Sequence, residues 1–251
     1  MKIVVIGGTG LIGSKLVHIL GEQGHDAVAA APSTGVDTIT GEGLADVMAG
    51  ADVVVDVSNS PNLDDTAKEF FRTATTNLLA AEQAAGVGHH VALSVVGTAE
   101  MAEQSGYFQA KLDQEQLIGQ GPVPYTIVHA TQFYEFLKTL ADSATDGDTV
   151  RMPPKYFRPM AAADVAKGLA IAAVNPPVNG ITEIGGPVEV LLPDMMRIAL
   201  AARGDHRTAV SDPSSKYWGI DLGERTLVPG EDATLFDTSF EDWALQTAAS
   251  S

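Results

Sequence analysis

The chain has 251 residues, 45% of them hydrophobic, enough for one large domain with a sizeable core. Lys+Arg 15 against Asp+Glu 32 leaves a net charge of -17, which disfavours nucleic-acid and anionic-membrane partners. Cysteine is absent, excluding disulfides, thiolate metal sites and cysteine nucleophiles together. No apolar run approaches the ~18 residues of a membrane span. The glycine-broken start MKIVVIGGTGLIGSKL makes a poor signal peptide. A soluble, cytoplasmic protein is expected.

Lys2–Ile6 is a β-branched run ending in glycines, as a buried parallel strand does. Leu11, Ile12, Leu16, Ile19 and Leu20 then recur at helical spacing, with Gly24 just past the helix end. A second strand is expected at Ala27–Ala31 and a brief third around Thr38–Thr40. Leu44–Met48 reads as a short helix and Asp52–Val57 as the fourth strand. Asp64–Ala85, Ala-rich and free of Gly and Pro, predicts a long helix. His90–Val96 is strand-like, Tyr107–Ile118 helical and Tyr125–Ala130 strand-like again. Such alternation implies an α/β fold, a Rossmann-type doubly wound parallel sheet with helices on both faces.

Beyond residue 131 the pattern loosens. Phe133–Ala141, Ala163–Val174 and Asp194–Ala202 are expected as helices and Thr182–Ile184 as a late strand. The division implied is a dinucleotide-binding domain over 1–150 and a smaller substrate-binding portion over 151–251.

Gly7-Gly8-Thr9-Gly10-Leu11-Ile12-Gly13 lies at the first strand-to-helix junction. It satisfies both GxGxxG and GxxGxxG. Such a turn needs a tight bend, backbone close to a pyrophosphate, and close helix–strand contact. The helix that follows points free N–H groups at the phosphates. After the second strand comes Ala30-Ala31-Pro32-Ser33-Thr34, with no carboxylate before Asp37. NAD sites commonly place an acid there. Its absence favours NADP, with NAD still allowed; Ser33 and Thr34 offer hydroxyls to a 2′-phosphate, and Lys15 or Lys2 a charge.

Tyr107-Phe108-Gln109-Ala110-Lys111 sets a phenol and an ammonium on one helix face. An adjacent ammonium would lower the Tyr pKa from ~10 and make it a proton donor near neutrality. With GGTGLIG, the Asn77–Glu82 stretch, YFQAK and Ala163-Asp164-Val165-Ala166 in this order, the sequence resembles an atypical short-chain dehydrogenase/reductase of the NmrA-like group. The resemblance runs from residue 1 to about 175.

It implies that Gly7, Gly10 and Gly13 hold the pyrophosphate, with Thr9, Leu11 and Ile12 in the same turn. Tyr107 would be the general acid, and Lys111 would bind the nicotinamide ribose and tune Tyr107. Ser94, or Thr98 in its place, would supply the active-site hydroxyl. Ser58 and Asn59, at the carboxyl edge after Asp56, are implied cofactor contacts, and Asn77 a helix residue near the active site. Ala130-Thr131-Gln132-Phe133 resembles the segment meeting the nicotinamide amide. His129 stands where many relatives carry Arg, which removes any Arg-dependent substrate contact.

Other readings weigh less. His89-His90 lacks the partners of a metal site, so none is expected. No G-x-S-x-G surrounds Ser94, which argues against a hydrolase. Tyr134, Phe136, Tyr156, Phe157 and Trp218 are either pocket lining or core. Asp164 reads as a helix cap.

The expectation is therefore an NAD(P)H-dependent oxidoreductase passing hydride to a small carbonyl or quinone, with a homodimer allowed. The alternative is an NmrA-like dinucleotide-binding redox sensor without turnover. A nucleotide-sugar epimerase shares the glycines and YxxxK, but the chain reads as short for that chemistry.

Overall fold

The computed structural model describes residues 1–61 and 66–249. Two compact units divide the chain: Met1–His129 with Val165–Thr182, and Ala130–Asp164 with Glu183–Ser251.

The first unit alternates strand and helix. In its first segment the elements are β1 (Lys2–Ile6), α1 (Leu11–Glu22), β2 (Asp26–Ala30), α2 (Leu44–Met48), β3 (Val53–Asp56), α3 (Thr66–Ala85), β4 (His89–Val95), α4 (Thr98–Ala102), α5 (Gly106–Gln120) and, at its end, β5 (Tyr125–Ala130). The remaining elements are α6 (Leu137–Ser143), β6 (Thr145–Asp146), β7 (Thr149–Met152), β8 (Tyr156–Phe157), α7 (Ala162–Val174), β9 (Gly180–Gly185), β10 (Val190–Leu191), α8 (Leu192–Ala202), β11 (Thr208–Ser211), β12 (Thr234–Leu235) and α9 (Phe240–Ala249).

Seven strands form one parallel sheet flanked by helices, in the order β12-β9-β5-β4-β3-β1-β2. β1 sits inside it, with Val4 opposite Val28 of β2 and Val54 of β3. Buried on both faces, β1 and β3 are the continuous apolar runs a central parallel strand requires. Edge strand β2 (DAVAA) is only partly buried. One core cluster gathers Val4, Ile6, Leu44, Met48, Val54 and Leu78; another pairs Ala92 and Ile127 with Ile118 of α5. Each Val, Leu, Ile or Met among them contributes about 1.5–3 kcal/mol when fully buried.

The strand expected at Thr38–Thr40 is a turn. The Asp37 carboxylate accepts from Ile39 N–H (2.7 Å) and Thr40 N–H (3.2 Å), and Gly41 N–H closes back on Asp37 O (2.9 Å). This local bonding competes successfully with a β-branched run too short to pair. The expected start of the third helix at Asp64 lies outside the described residues. Phe133–Ala141 is not one helix: a 3-10 turn at Tyr134–Phe136 precedes α6. Asp164 lies in the first turn of α7 rather than at its cap; the N–H of Ala162 is held by the Glu135 carboxylate at 3.1 and 3.2 Å.

Among the described residues no helix is long and apolar enough to cross a membrane, and no group of three or more His, Cys, Asp or Glu side chains is placed to hold a metal. His89 and His90 turn to opposite faces of β4. His89 Nε2 meets Thr126 Oγ1 at 2.9 Å, and His90 Nδ1 meets Glu82 at 2.8 Å.

Candidate functional site: a dinucleotide cradle beside a buried polar network

The glycine turn is shaped by contacts no side chain could share. Gly7 adopts φ +77°, and the N–H groups of Gly7 and Gly8 both donate to Ala30 O, at 2.8 and 3.3 Å. A Cβ on Gly8 would stand 2.7 Å from Ala29 Cα, and one on Gly13 only 2.2 Å from Gly7 O. The turn is thereby pressed between β2 and α1. Gly10 differs: its Cβ direction meets only Gly7 O, at 3.3 Å, and Thr9, Gly10 and Leu11 are exposed. Ile12 and Gly13 are buried and hold the helix down.

The first turn of α1 has no side-chain cap and no acidic residue. Its N–H groups and positive dipole end are left to an anion. Ser58 Oγ, where the end of β3 meets Gly7, is a buried hydroxyl without a protein partner. Glycine cradle, uncapped helix and orphan hydroxyl together fit a dinucleotide.

The segment after β2 is self-contained. Thr34 Oγ1 accepts from Ala31 N–H at 2.9 Å and lies 3.0 Å from Ala31 O, while Ser33 is exposed. Asp37, the nearest carboxylate, is committed to its own turn. Lys15 is exposed on α1. Lys2 is not a phosphate ligand: it opens β1 at the amino end of the sheet, and its Nζ donates to Ala49 O at 2.7 Å. Asn77 does not approach the site either. Its Nδ2 donates to Thr38 O and Ile39 O, at 2.8 and 3.0 Å, pinning the turn that replaced the expected strand.

Helix α5 carries the candidate chemistry and buries an unusual face: Lys111, Gln114 and Glu115 alongside Ala110 and Ile118. Lys111 Nζ donates to Leu93 O at 2.9 Å and to Gln114 Oε1, and lies 4.6 Å from the centre of the Phe71 ring. Gln114 Nε2 in turn donates to Asp56 Oδ2 at 3.1 Å. Asp56 and Lys111 are 2% and 3% exposed, so this charge pair is held inside the protein and bridged by an amide. Burial pushes the Lys111 pKa down to about 8, opposed by Asp56 and Glu115.

Tyr107 is placed at the edge of this network, not in it. Its hydroxyl donates to Asn59 Oδ1 at 2.9 Å, and its ring packs edge-on against Phe71. Burial raises its pKa to about 12, with the Asn59 bond pulling the other way. The acidification expected from Lys111 is thus reversed. The ammonium is spent on Leu93 O and Gln114, and Phe71 takes its contact.

Ser94 Oγ donates to Glu115 Oε1, the oxygen that also meets His129 Nε2 at 3.0 Å. A hydroxyl has one proton, so Ser94 in this state meets any ligand as an acceptor. Thr98 Oγ1 likewise gives its proton to Val95 O at 2.6 Å and is fully buried. His129, in place of an Arg, is a buried partner of Glu115 rather than a substrate contact. Glu115 and Gln114 escaped the sequence reading, although Lys111 and Glu115 show i,i+4 spacing on a buried face.

Past β5, Gln132 places both Nε2 and Oε1 in buried positions without a protein partner, as does Thr131 with Oγ1. Of the candidate aromatics, Tyr134 and Phe157 are core, and Tyr134 packs against Phe240 and Trp243. Tyr156 is half-buried, while Phe136 and Trp218 are exposed by 51% and 41%.

A family model described as NAD(P)H-binding matches residues 7–176, more than half of the chain. No curated protein matches by sequence. Many solved structures are similar in fold, among them the following three. The dTDP-glucose 4,6-dehydratase DesIV from Streptomyces venezuelae, with NAD and TYD bound, has 17% identity and a TM-score of 0.71 over 99% of this chain and 96% of that one. A dTDP-4-dehydrorhamnose reductase from Clostridium acetobutylicum has 16% identity and 0.70 over 100% and 99%. The Thermus thermophilus UDP-glucose 4-epimerase, complexed with NAD, has 18% identity and 0.69 over 100% and 93%. Length therefore does not separate this chain from enzymes of nucleotide sugars, contrary to expectation. The chain belongs to the NAD(P)H-binding family, with the fold of the short-chain dehydrogenase/reductases.

Proposed function

We propose that this protein is an NAD(P)H-dependent reductase acting on a carbonyl or quinone, with Tyr107 as the proton donor. One observation carries the reading: a protonated phenol, held by Asn59 at the carboxyl end of β3, in a unit that also presents the glycine cradle. When bound, the reduced nicotinamide supplies the hydride. The chain's own residues bind the pyrophosphate at Gly7–Gly13, orient the phenol through Asn59, and hold its proton until negative charge develops on the substrate oxygen. Transfer of that proton to the oxygen leaves a phenolate, which solvent reprotonates. With a pKa near 12, Tyr107 stays protonated throughout the neutral range. Lys111 serves the ribose only after leaving Leu93 O and Gln114.

NADP is the preferred dinucleotide. The exit of β2 offers the exposed Ser33 hydroxyl, while the nearest carboxylate, Asp37, is bound to its own backbone.

The test is Tyr107→Phe. NADPH affinity should be unchanged, while turnover of a quinone or aldehyde falls by about 10²-fold or more. Wild-type turnover in the variant would end the assignment.

A second reading, a dinucleotide sensor without turnover, is favoured by one feature. Lys111 and the hydroxyl protons of Ser94 and Thr98 are all committed inside the protein. NADPH that binds and stays reduced before every acceptor offered would select it.

A further inference from the structure

Asp56 ends β3 with its carboxylate buried and both of its oxygens engaged. Oδ1 accepts from Ser58 N–H at 2.9 Å, which turns the chain as it leaves the strand. Oδ2 accepts from Gln114 Nε2 at 3.1 Å, and Gln114 Oε1 accepts from Lys111 Nζ. One oxygen therefore sets a loop and the other a helix, and both lead to the same phenol. The loop carries Asn59, whose Oδ1 accepts from the Tyr107 hydroxyl at 2.9 Å. The helix is α5, on which Tyr107 itself lies. The loop also walls the glycine turn: a Cβ on Gly7 would stand 3.0 Å from Ser58 N and from Val57 C and O. Ser58 Oγ, buried and without a protein partner, is held in that wall by the same bond.

We propose that Asp56 is the positioning residue of the dinucleotide site, fixing where the Tyr107 hydroxyl stands relative to Gly7 through the loop at 57–59 and through Gln114. Every residue involved belongs to the first unit. The inference rests on dinucleotide binding and not on the reductase reading. The bonding has one polarity. A carboxylate only accepts, so Gln114 must turn Nε2 to Asp56 and Oε1 to the ammonium. Asn at position 56 would supply one acceptor and one donor where two acceptors are needed. If its oxygen keeps Ser58 N–H, its amide nitrogen faces Gln114 Nε2, and turning Gln114 to relieve this sets an NH2 group against Lys111. Such a buried mismatch costs the desolvation of the group left unpaired. Moving the carboxylate one link along repairs the chain. With Asp56→Asn and Gln114→Glu together, the new carboxylate accepts from Lys111 and from the Asn amide, and Ser58 N–H keeps its acceptor.

The test compares wild type, Asp56→Asn and the double variant as full chains, well below their melting temperatures. Calorimetry reads NADPH affinity. Carbon-13 NMR reads Lys Cε and Tyr Cζ, assigned with Lys111→Met and Tyr107→Phe. Asp56→Asn should bind NADPH about tenfold more weakly and move the Tyr107 Cζ resonance. Its Lys111 should titrate about one pH unit or more below the wild-type value of about 8. Of the carboxylates that hold that ammonium charged, only Glu115 on α5 would remain. His90 on β4, the other cation facing Asp56, keeps Glu82 at 2.8 Å. The double variant should return all three readings to those of wild type.

A residue that only stabilised the fold would lower the melting temperature and leave these readings of the folded protein alone. The inference is overturned by Asp56→Asn with wild-type NADPH affinity, or with an unmoved Tyr107 or Lys111 resonance. It is equally overturned by a double variant that leaves any reading at the single variant's value. Should Asp56→Asn not fold, the double variant decides alone. NADPH affinity within about threefold of wild type supports the assignment, and weaker binding or failure to fold ends it. Failure of the reductase reading looks different: each of these readings would stand, while bound NADPH is never oxidised.

Discussion

Lys111 reaches the interior of the protein on four methylenes, and what waits for its ammonium decides what Tyr107 can do. The two residues share a helical face, as their spacing requires, but Asp56, Gln114 and Leu93 O draw the ammonium inward. Sequence pattern showed the shared face, but the carbonyl from β4 and the amide-bridged carboxylate from β3 are supplied by tertiary structure. Gln132 was less visible still. A Gln after a strand is unremarkable until both its polar atoms are seen buried and unpaired.

A second buried charge system gives a test at the same scale. Glu82 and His90, both 0% exposed, form an ion pair at 2.8 Å. Burial alone would lower the His90 pKa, but the Glu82 carboxylate, with help from Asp56, raises it above the usual value. A raised folded-state pKa adds stability below the unfolded value of ~6.5, and that stability is lost as pH rises through the folded value. Glu82→Gln should lower stability by about 3–5 kcal/mol near pH 6. It should also flatten the decline between pH 6 and alkaline pH, read from urea melts of both proteins. A variant with an unchanged pH slope would show that the pair is not the source.

Among the elements, the β1–α1 junction was the most legible. Its glycine spacing is dictated by contacts of 2.2 to 2.7 Å that any Cβ would violate, so the pattern in the sequence is the geometry itself. Gly13→Ala should therefore cost about 1–3 kcal/mol, the usual range for overpacking, and weaken NADPH binding with it. A variant that melts and binds like wild type would mean that the turn relaxes freely. The Thr38–Thr40 segment shows the opposite case. Its Thr-Ile-Thr run has strand propensity, but Asp37 bonds to two following N–H groups and Asn77 anchors the turn from α3. Asn77 was read as an active-site residue on resemblance, and its partner lies 39 residues away in sequence.

At the scale of the whole molecule, a chain of net charge -17 binds an anion. On the proposed reading the pyrophosphate is held by main-chain N–H groups and a helix end, against a repulsive long-range field. Raising ionic strength from about 0.01 M to about 0.15 M shortens the screening length from roughly 30 Å to 8 Å. NADPH binding should tighten, or at least not weaken, over that interval. A strong loss of affinity with salt would point instead to a cationic pocket around Lys15.

The sheet order, the family match over residues 7–176 and the cradle agree on dinucleotide binding, and reduction is the step built on top of it. Stopped-flow absorbance of protein-bound NADPH, mixed with a quinone in a single turnover, tests that step most directly. The account predicts loss of one equivalent of reduced nicotinamide by wild type and a rate about 10²-fold lower in Tyr107→Phe at equal NADPH affinity. NADPH that remains bound and reduced in wild type, or identical rates in the two proteins, would contradict it.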